Sequence, residues 1–149
     1  MALDLISVSA LVCERFLAEE DHVFSAIRIV DIFYVPIPPP SQAQDLPAQI
    51  IPVYVLIFIK SWNAGEVEFR LRLKKPSGEE KIFDAPQIPQ RIEISPRHPE
   101  PGLPLGASIG LTIHVRSSEL GTHVLLIEVD GKTEAKVPFT LLAQQSKQG

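Results

Sequence analysis

Nine consecutive residues, from Glu66 to Lys74, alternate strictly between charged and apolar side chains. Successive side chains of a β-strand point to opposite faces, so this alternation predicts a strand with one face in the core and one in water. The predicted core-facing residues are Val67, Phe69, Leu71 and Leu73. Pro76-Ser77-Gly78 follows as a turn signal, and a chain with such a strand must build a sheet around it.

Further strands are predicted on both sides of this segment. Residues 121–129 and 133–142 flank Asp130-Gly131, a dipeptide typical of two-residue hairpin turns. Pro138 cannot donate a ladder hydrogen bond, which places it at a sheet edge or facing outward. Residues 109–116 also alternate. Residues 10–20 contain good helix formers, but 23–35 is β-prone, so a hairpin turning near residues 19–22 is favoured and a helix over 10–20 stays open.

Two segments resemble an uncharacterised bacterial family of β-sandwich proteins that is catalogued as a domain of unknown function. Residues 10–15 and 24–31 resemble its opening hairpin, and residues 121–123, 129–131 and 137–139 resemble its end. The closing pattern is shared with many immunoglobulin-like domains, although His123 replaces the usual tyrosine. The resemblance implies the fold and carries over no active site.

The fold class that follows is all-β, with little helix. We expect an antiparallel, immunoglobulin-like β-sandwich of roughly seven to nine strands. The 149 residues include 45% hydrophobic and 21% charged side chains, which suits one packed core. Residues 1–142 are predicted to form this single domain, and residues 143–149 a polar C-terminal tail.

The segment from Ile50 to Ile59 is apolar on both alternating faces, so its second face must also be covered. Covering by the proline-rich loops is favoured over covering by another subunit. The subunit alternative makes this segment a candidate interaction surface. Its candidate residues, with the aromatic residue that follows, are Tyr54, Val55, Ile57, Ile59 and Trp62. Trp62 is interpreted first as a plug at the end of the sandwich and second as a binding aromatic.

No residue pattern indicates catalysis. The four histidines, at positions 22, 98, 114 and 123, lack metal-ligand spacing, and strand parity places His114 outward and His123 inward. Cys13 lies in an apolar run, which favours a buried, inert thiol. No serine elbow and no phosphate-binding glycine loop is present. The sequence therefore predicts no catalytic, cofactor-binding or metal-binding residue, no cofactor, and a protein that is not an enzyme.

The charge pattern gives no overall attraction to nucleic acid, because 14 basic and 18 acidic residues leave a net charge of −4. Arg70, Arg72, Lys74 and Lys75 form a basic stripe, but glutamates share its face and no aromatic residue is interleaved. A charged sheet surface with cross-strand pairs is therefore favoured over a phosphate-binding surface.

These observations lead to one functional hypothesis and one alternative. The hypothesis is a non-catalytic structural or protein-interaction module, with a protein partner or self-association as a homodimer through a β edge or residues 50–59. The alternative is a small-ligand or carbohydrate-binding module that uses loop ends and Trp62. A lone cysteine, no basic segment before the first apolar residues and no apolar run of membrane-spanning length predict a cytoplasmic protein without a membrane span.

Overall fold

The alternating segments form two stacked β-sheets. The computed structural model of the chain describes residues 3–20, 24–36, 49–96 and 102–144. Ten strands lie within these residues, slightly more than the seven to nine predicted: β1 (Leu5–Ala18), β2 (Phe24–Ile29), β3 (Ile32–Pro36), β4 (Gln49–Ser61), β5 (Gly65–Lys74), β6 (Glu80–Ile82), β7 (Arg91–Ile94), β8 (Leu105–Ser117), β9 (Gly121–Val129) and β10 (Lys132–Gln144). The all-β sandwich prediction is confirmed.

The strands divide into a four-stranded and a six-stranded sheet. Sheet A has the order β2-β1-β4-β8, sheet B has the order β3-β10-β9-β5-β6, and β7 pairs with the first half of β5. Every pairing is antiparallel except that of β10 with β3, which is parallel. No helical segment with the length and apolar character of a membrane crossing occurs among the described residues.

The core lies between the two sheets and is built by the alternation that the sequence displays. Val67, Phe69, Leu71 and Leu73 of β5 are buried, as predicted, and they face the inward residues of β4. Asp130 and Gly131 both have positive φ, of 51° and 77°, which is the backbone of the tight turn predicted between β9 and β10. β10 extends to Gln144, two residues beyond residue 142, where the sequence predicted the end of the domain.

The first strand settles the open choice between helix and strand. Residues 10–18 belong to β1, which pairs with β2 from Ala18 and Phe24 onward, so the predicted hairpin is confirmed. The rings of Phe16 and Phe24 lie over Gly110 of β8, and the Phe16 ring packs edge-on against Tyr54 at a centroid distance of 5.9 Å. The hairpin therefore covers part of the outer face of sheet A, where the sequence predicted proline-rich loops or a second subunit. Most of the first of these loops, residues 37–48, lies outside the described residues.

Pro138 lies in β10 at a position where no hydrogen bond between strands requires a backbone N–H. β3 pairs with β10 only from Thr140 onward, and the Thr140 N–H donates to the carbonyl of Asp31 at 2.7 Å. Pro138 is exposed and precedes this pairing, so it faces outward as predicted.

His123 is fully buried in the core and has a complete set of hydrogen bonds as a neutral ring. Its Nδ1–H donates to the Gly121 carbonyl at 3.1 Å, and its Nε2 accepts from the Ser117 hydroxyl at 2.9 Å. The ring also stacks on Phe139, with a centroid distance of 5.4 Å. Burial lowers the pKa of His123 below its ordinary value of 6.5.

We expect stability to fall on mild acidification because of His123. The pKa of His123 is lower in the folded chain than in the unfolded chain. On acidification, the unfolded chain therefore binds a proton at His123 before the folded chain does. The contribution of neutral His123 to the free energy of unfolding is fully present above pH 6.5. It is lost as the pH falls from there through the pKa of His123 in the folded chain. Denaturant unfolding between about pH 7.5 and pH 5.5 measures it. His123→Phe should flatten this dependence, whereas His114→Phe, at an exposed site, should leave it unchanged; equal profiles for all three proteins would contradict the assignment.

Candidate functional site

The outer face of sheet B carries a cluster of four cationic residues in register. Residues that lie opposite one another on neighbouring strands form rows across the sheet. The first row contains Arg70 and Glu128, and the second contains Arg72, Leu126 and Lys136 on three strands. The third row contains Lys74, Val124 and Pro138. Arg70, Arg72, Lys74 and Lys136 are called the cationic face below.

One of the four cations is neutralised within the cluster. Arg72 forms ion pairs with Glu80, at 2.9 Å, and with Glu128, whose side chain is 7% exposed. The hydrogen bond to Glu80 and the charges of both carboxylates raise the pKa of Arg72 above its usual value. These are the cross-strand pairs predicted for a charged sheet surface, and Lys75 likewise pairs with Glu79.

The other three cations form no ion pair within the described part of the chain. Arg70, Lys74 and Lys136 are all exposed. Rows on one face of a strand are about 6.7 Å apart and neighbouring strands about 4.8 Å apart, so these three charges lie within roughly 15 Å of one another. The arrangement therefore places three exposed positive charges together on one face of sheet B.

A cleft of about 700 Å³ opens at one end of the cationic face. Arg70 and Glu128 line both the face and the cleft. Its other polar residues are Glu68, Asp84, Gln90 and Arg91, beside the rings of Phe69 and Phe83. Arg91 is paired with Glu66 at 3.1 Å. No group of histidine, cysteine and carboxylate side chains that could hold a metal ion occurs in the described ranges.

An apolar group lies at the opposite end of the same face. β3 adds Tyr34 beside Leu142 of β10 and Ile32 beside Thr140, and Tyr34 is 64% exposed. Phe33 and Val35 point the other way, toward the core. Sequence reasoning found no aromatic residue near the basic stripe, because Tyr34 is about forty residues away in sequence and only the pairing of β3 with β10 brings it onto this face.

The residues predicted from the sequence to form an interaction surface do not come together at the molecular surface. Val55, Ile57 and Ile59 are completely buried between the sheets. Tyr54 is partly covered by Phe16. Trp62 is 55% exposed, so it does not plug the sandwich as predicted.

The residues considered for catalysis are also separated. Cys13 is buried, and burial raises the pKa of its thiol, as expected of an inert cysteine. His114 is exposed and His123 buried, which confirms the parity argument. His22 and His98 lie outside the described residues.

The outer face of sheet A provides a comparison for the cationic face. Its exposed cations, Lys60 of β4 and Arg116 of β8, pair with no carboxylate among the described residues. The register of β4 with β8 places Arg116 opposite Ile50, ten positions from Lys60. At about 3.3 Å per residue the two charges are about 33 Å apart, so they do not form a cluster.

A comparison with solved structures finds a similar fold in a protein that acts on DNA. The alkylpurine DNA glycosylase AlkC of Pseudomonas fluorescens, bound to DNA containing an abasic site analog, is similar over 96% of this chain, with a TM-score of 0.55 and 12% sequence identity. The present chain covers 32% of that glycosylase chain, so it spans about a third of its length. No family model matches the chain, and no curated protein matches it.

This finding corrects three predictions. The first is the prediction of a non-catalytic, self-associating interaction module, together with its alternative, a ligand-binding or carbohydrate-binding module. The likeness to a DNA-bound enzyme contradicts it. The prediction that the chain is not an enzyme is contradicted on the same ground. The prediction of no generic nucleic-acid binding, which was based on net charge and on the glutamates beside the basic stripe, is contradicted as well.

Proposed function

We propose that this chain binds DNA through the cationic face and contributes to a DNA-processing enzyme. The observation that carries the proposal is the likeness of almost the whole chain to about a third of a DNA-bound glycosylase. The three unpaired cations of the cationic face supply the chemistry, since lysine and arginine contacts to phosphates dominate the affinity of proteins for DNA.

Arg72 has a different role on this face. Its two carboxylate partners already satisfy its charge, so it contributes little further attraction for phosphate. The buried Glu128 holds the guanidinium in place between Arg70 and Lys74. The arrangement keeps Glu80 and Glu128 engaged with Arg72, which limits their repulsion of an approaching phosphate.

Charge reversal on the two sheets tests the proposal. Arg70→Glu with Lys136→Glu should weaken binding of a fluorescein-labelled oligonucleotide by about tenfold or more, measured by anisotropy. The matched control, Lys60→Glu with Arg116→Glu, changes the net charge equally on the outer face of sheet A and should have a much smaller effect. Because two phosphate contacts are lost, the slope of log affinity against log salt should also fall by about two on the cationic face.

Two results would overturn the proposal. The first is that the unmodified chain binds neither duplex nor single-stranded DNA at low salt, and the second is that the two double variants lose the same affinity. A second assay concerns the activity that the similar protein is named for. Release of alkylated purines by the purified chain would place that chemistry on these residues, whereas intact binding without release would limit the chain to contacting DNA.

We further propose that the chain acts as one domain in the bacterial cytoplasm, the compartment that contains the DNA. The single buried cysteine and the resemblance to a bacterial family with an immunoglobulin-like C-terminal hairpin support this location. Fractionation of cells that carry a tagged full-length chain tests it, with recovery in the nucleoid and soluble fractions expected. Recovery in the envelope would contradict it.

A further inference from the structure

The outer face of sheet B has a continuous track that leads from the cationic face to Tyr34. Along β10 the outward residues are Lys136, Pro138, Thr140 and Leu142, and Tyr34 lies beside the last of them on β3. The hydroxyl of Thr140 lies 3.1 Å from that of Thr122 on β9. Between Lys136 and Tyr34, the outward residues of β9 and β10 are uncharged.

The chemistry of this track changes along its length. One end carries unpaired cations, the middle carries hydroxyl groups, and the far end carries the exposed ring of Tyr34 between Ile32 and Leu142. Six residues of strand separate Lys136 from Leu142, which corresponds to about 20 Å. At 3.4 Å per nucleotide this is the length of about six stacked nucleotides, within the range of single-strand sites on small β-domains.

We infer that this track binds single-stranded or locally unpaired DNA, with phosphates on the cationic face and a base stacked on Tyr34. The inference rests on the proposed function and specifies its substrate class. In a continuous duplex both faces of every base are covered by neighbouring bases, so an exposed ring on a sheet face finds a stacking partner only where a base is unpaired. A base needs no particular identity for this contact, because every base has a π-face.

Substitution of Tyr34 tests the contribution of base stacking to DNA binding without changing the charge of the surface. Tyr34→Ala should weaken binding of a labelled oligothymidine by about tenfold and leave binding of a matched duplex unchanged. Tyr34→Phe keeps the ring and should retain the affinity for the single strand. Both variants should unfold at the same denaturant concentration as the unmodified chain, because the side chain of Tyr34 is mostly exposed.

The outcomes distinguish this inference from the proposed function. Loss of oligothymidine binding in Tyr34→Ala, with recovery in Tyr34→Phe, supports the stacking contact. Unchanged oligothymidine binding in Tyr34→Ala, or an equal loss for the duplex, overturns it. If Tyr34→Ala has no effect while the reversal of Arg70 and Lys136 still weakens binding, DNA binding stands and the single-strand assignment fails. If the unmodified chain binds no DNA, both fail.

Discussion

Replacing Phe139 with alanine should lower the free energy of unfolding by about 3–5 kcal/mol, the usual cost of removing a buried aromatic ring. Phe139 is 1% exposed and its ring joins three strands of sheet B. It stacks on His123 of β9 and meets the edge of Phe33 of β3 at a centroid distance of 5.8 Å. Alanine would leave a cavity that neither neighbour can fill without leaving its own position.

Urea unfolding followed by far-ultraviolet circular dichroism measures this loss. Leu142→Ala serves as the control, because Leu142 lies in the same strand with its side chain facing outward and partly exposed. We expect the control to change stability by about 0.5 kcal/mol or less. Similar losses for both variants would show that Phe139 does not occupy the position described here.

Replacing Gly110 with alanine should destabilise the chain by about 1–3 kcal/mol through overpacking. A Cβ atom at this position would lie 2.6 Å from the Phe16 ring and 3.0 Å from the Phe24 ring. Both rings would have to move, which loosens the β1–β2 hairpin over the outer face of sheet A. Hydrogen exchange should accordingly become faster in β1 and β2 while β5 and β9 keep their protection.

Gly106→Ala is the matched control for Gly110→Ala. Both glycines belong to β8 and lie on the same face, but a Cβ at residue 106 would meet only the Ile59 carbonyl oxygen, at an ordinary 3.5 Å. Its substitution should leave stability unchanged or raise it by about 0.4–1 kcal/mol, because alanine restricts the unfolded chain. An equal loss for both variants would indicate that β8 tolerates no side chain at either position, independent of the hairpin.

The net charge of the chain does not describe the charge of each of its surfaces. The acidic residues outnumber the basic ones, yet three cations of one face have no carboxylate partner among the described residues. Salt screens charges beyond roughly 8–10 Å, so a nucleic acid on this face responds to the local cluster more than to distant carboxylates. A basic cluster on one sheet therefore suffices for the proposed DNA contact.

Local pattern in the sequence determined the strands and their faces. The alternation in residues 66–74 defined which side chains of β5 enter the core, and Asp130-Gly131 defined the β9–β10 turn. It also identified the basic stripe of β5 and the opposite orientations of His114 and His123. These features depend only on the two-residue period of a strand and on backbone preferences of neighbouring residues, so a linear sequence contains them.

The pairing of distant strands was decided only by the tertiary structure. It placed Lys136 in the same cross-strand row as Arg72, with Leu126 between them, and brought Tyr34 onto the same face. It also laid the β1–β2 hairpin over part of the second apolar face of β4. The energy that selects such pairings comes from packing between residues far apart in sequence, and the same alternating strand can pair with several partners. The strands of this protein can therefore be predicted from its sequence, whereas the surface proposed to bind DNA forms only when the sheets have assembled.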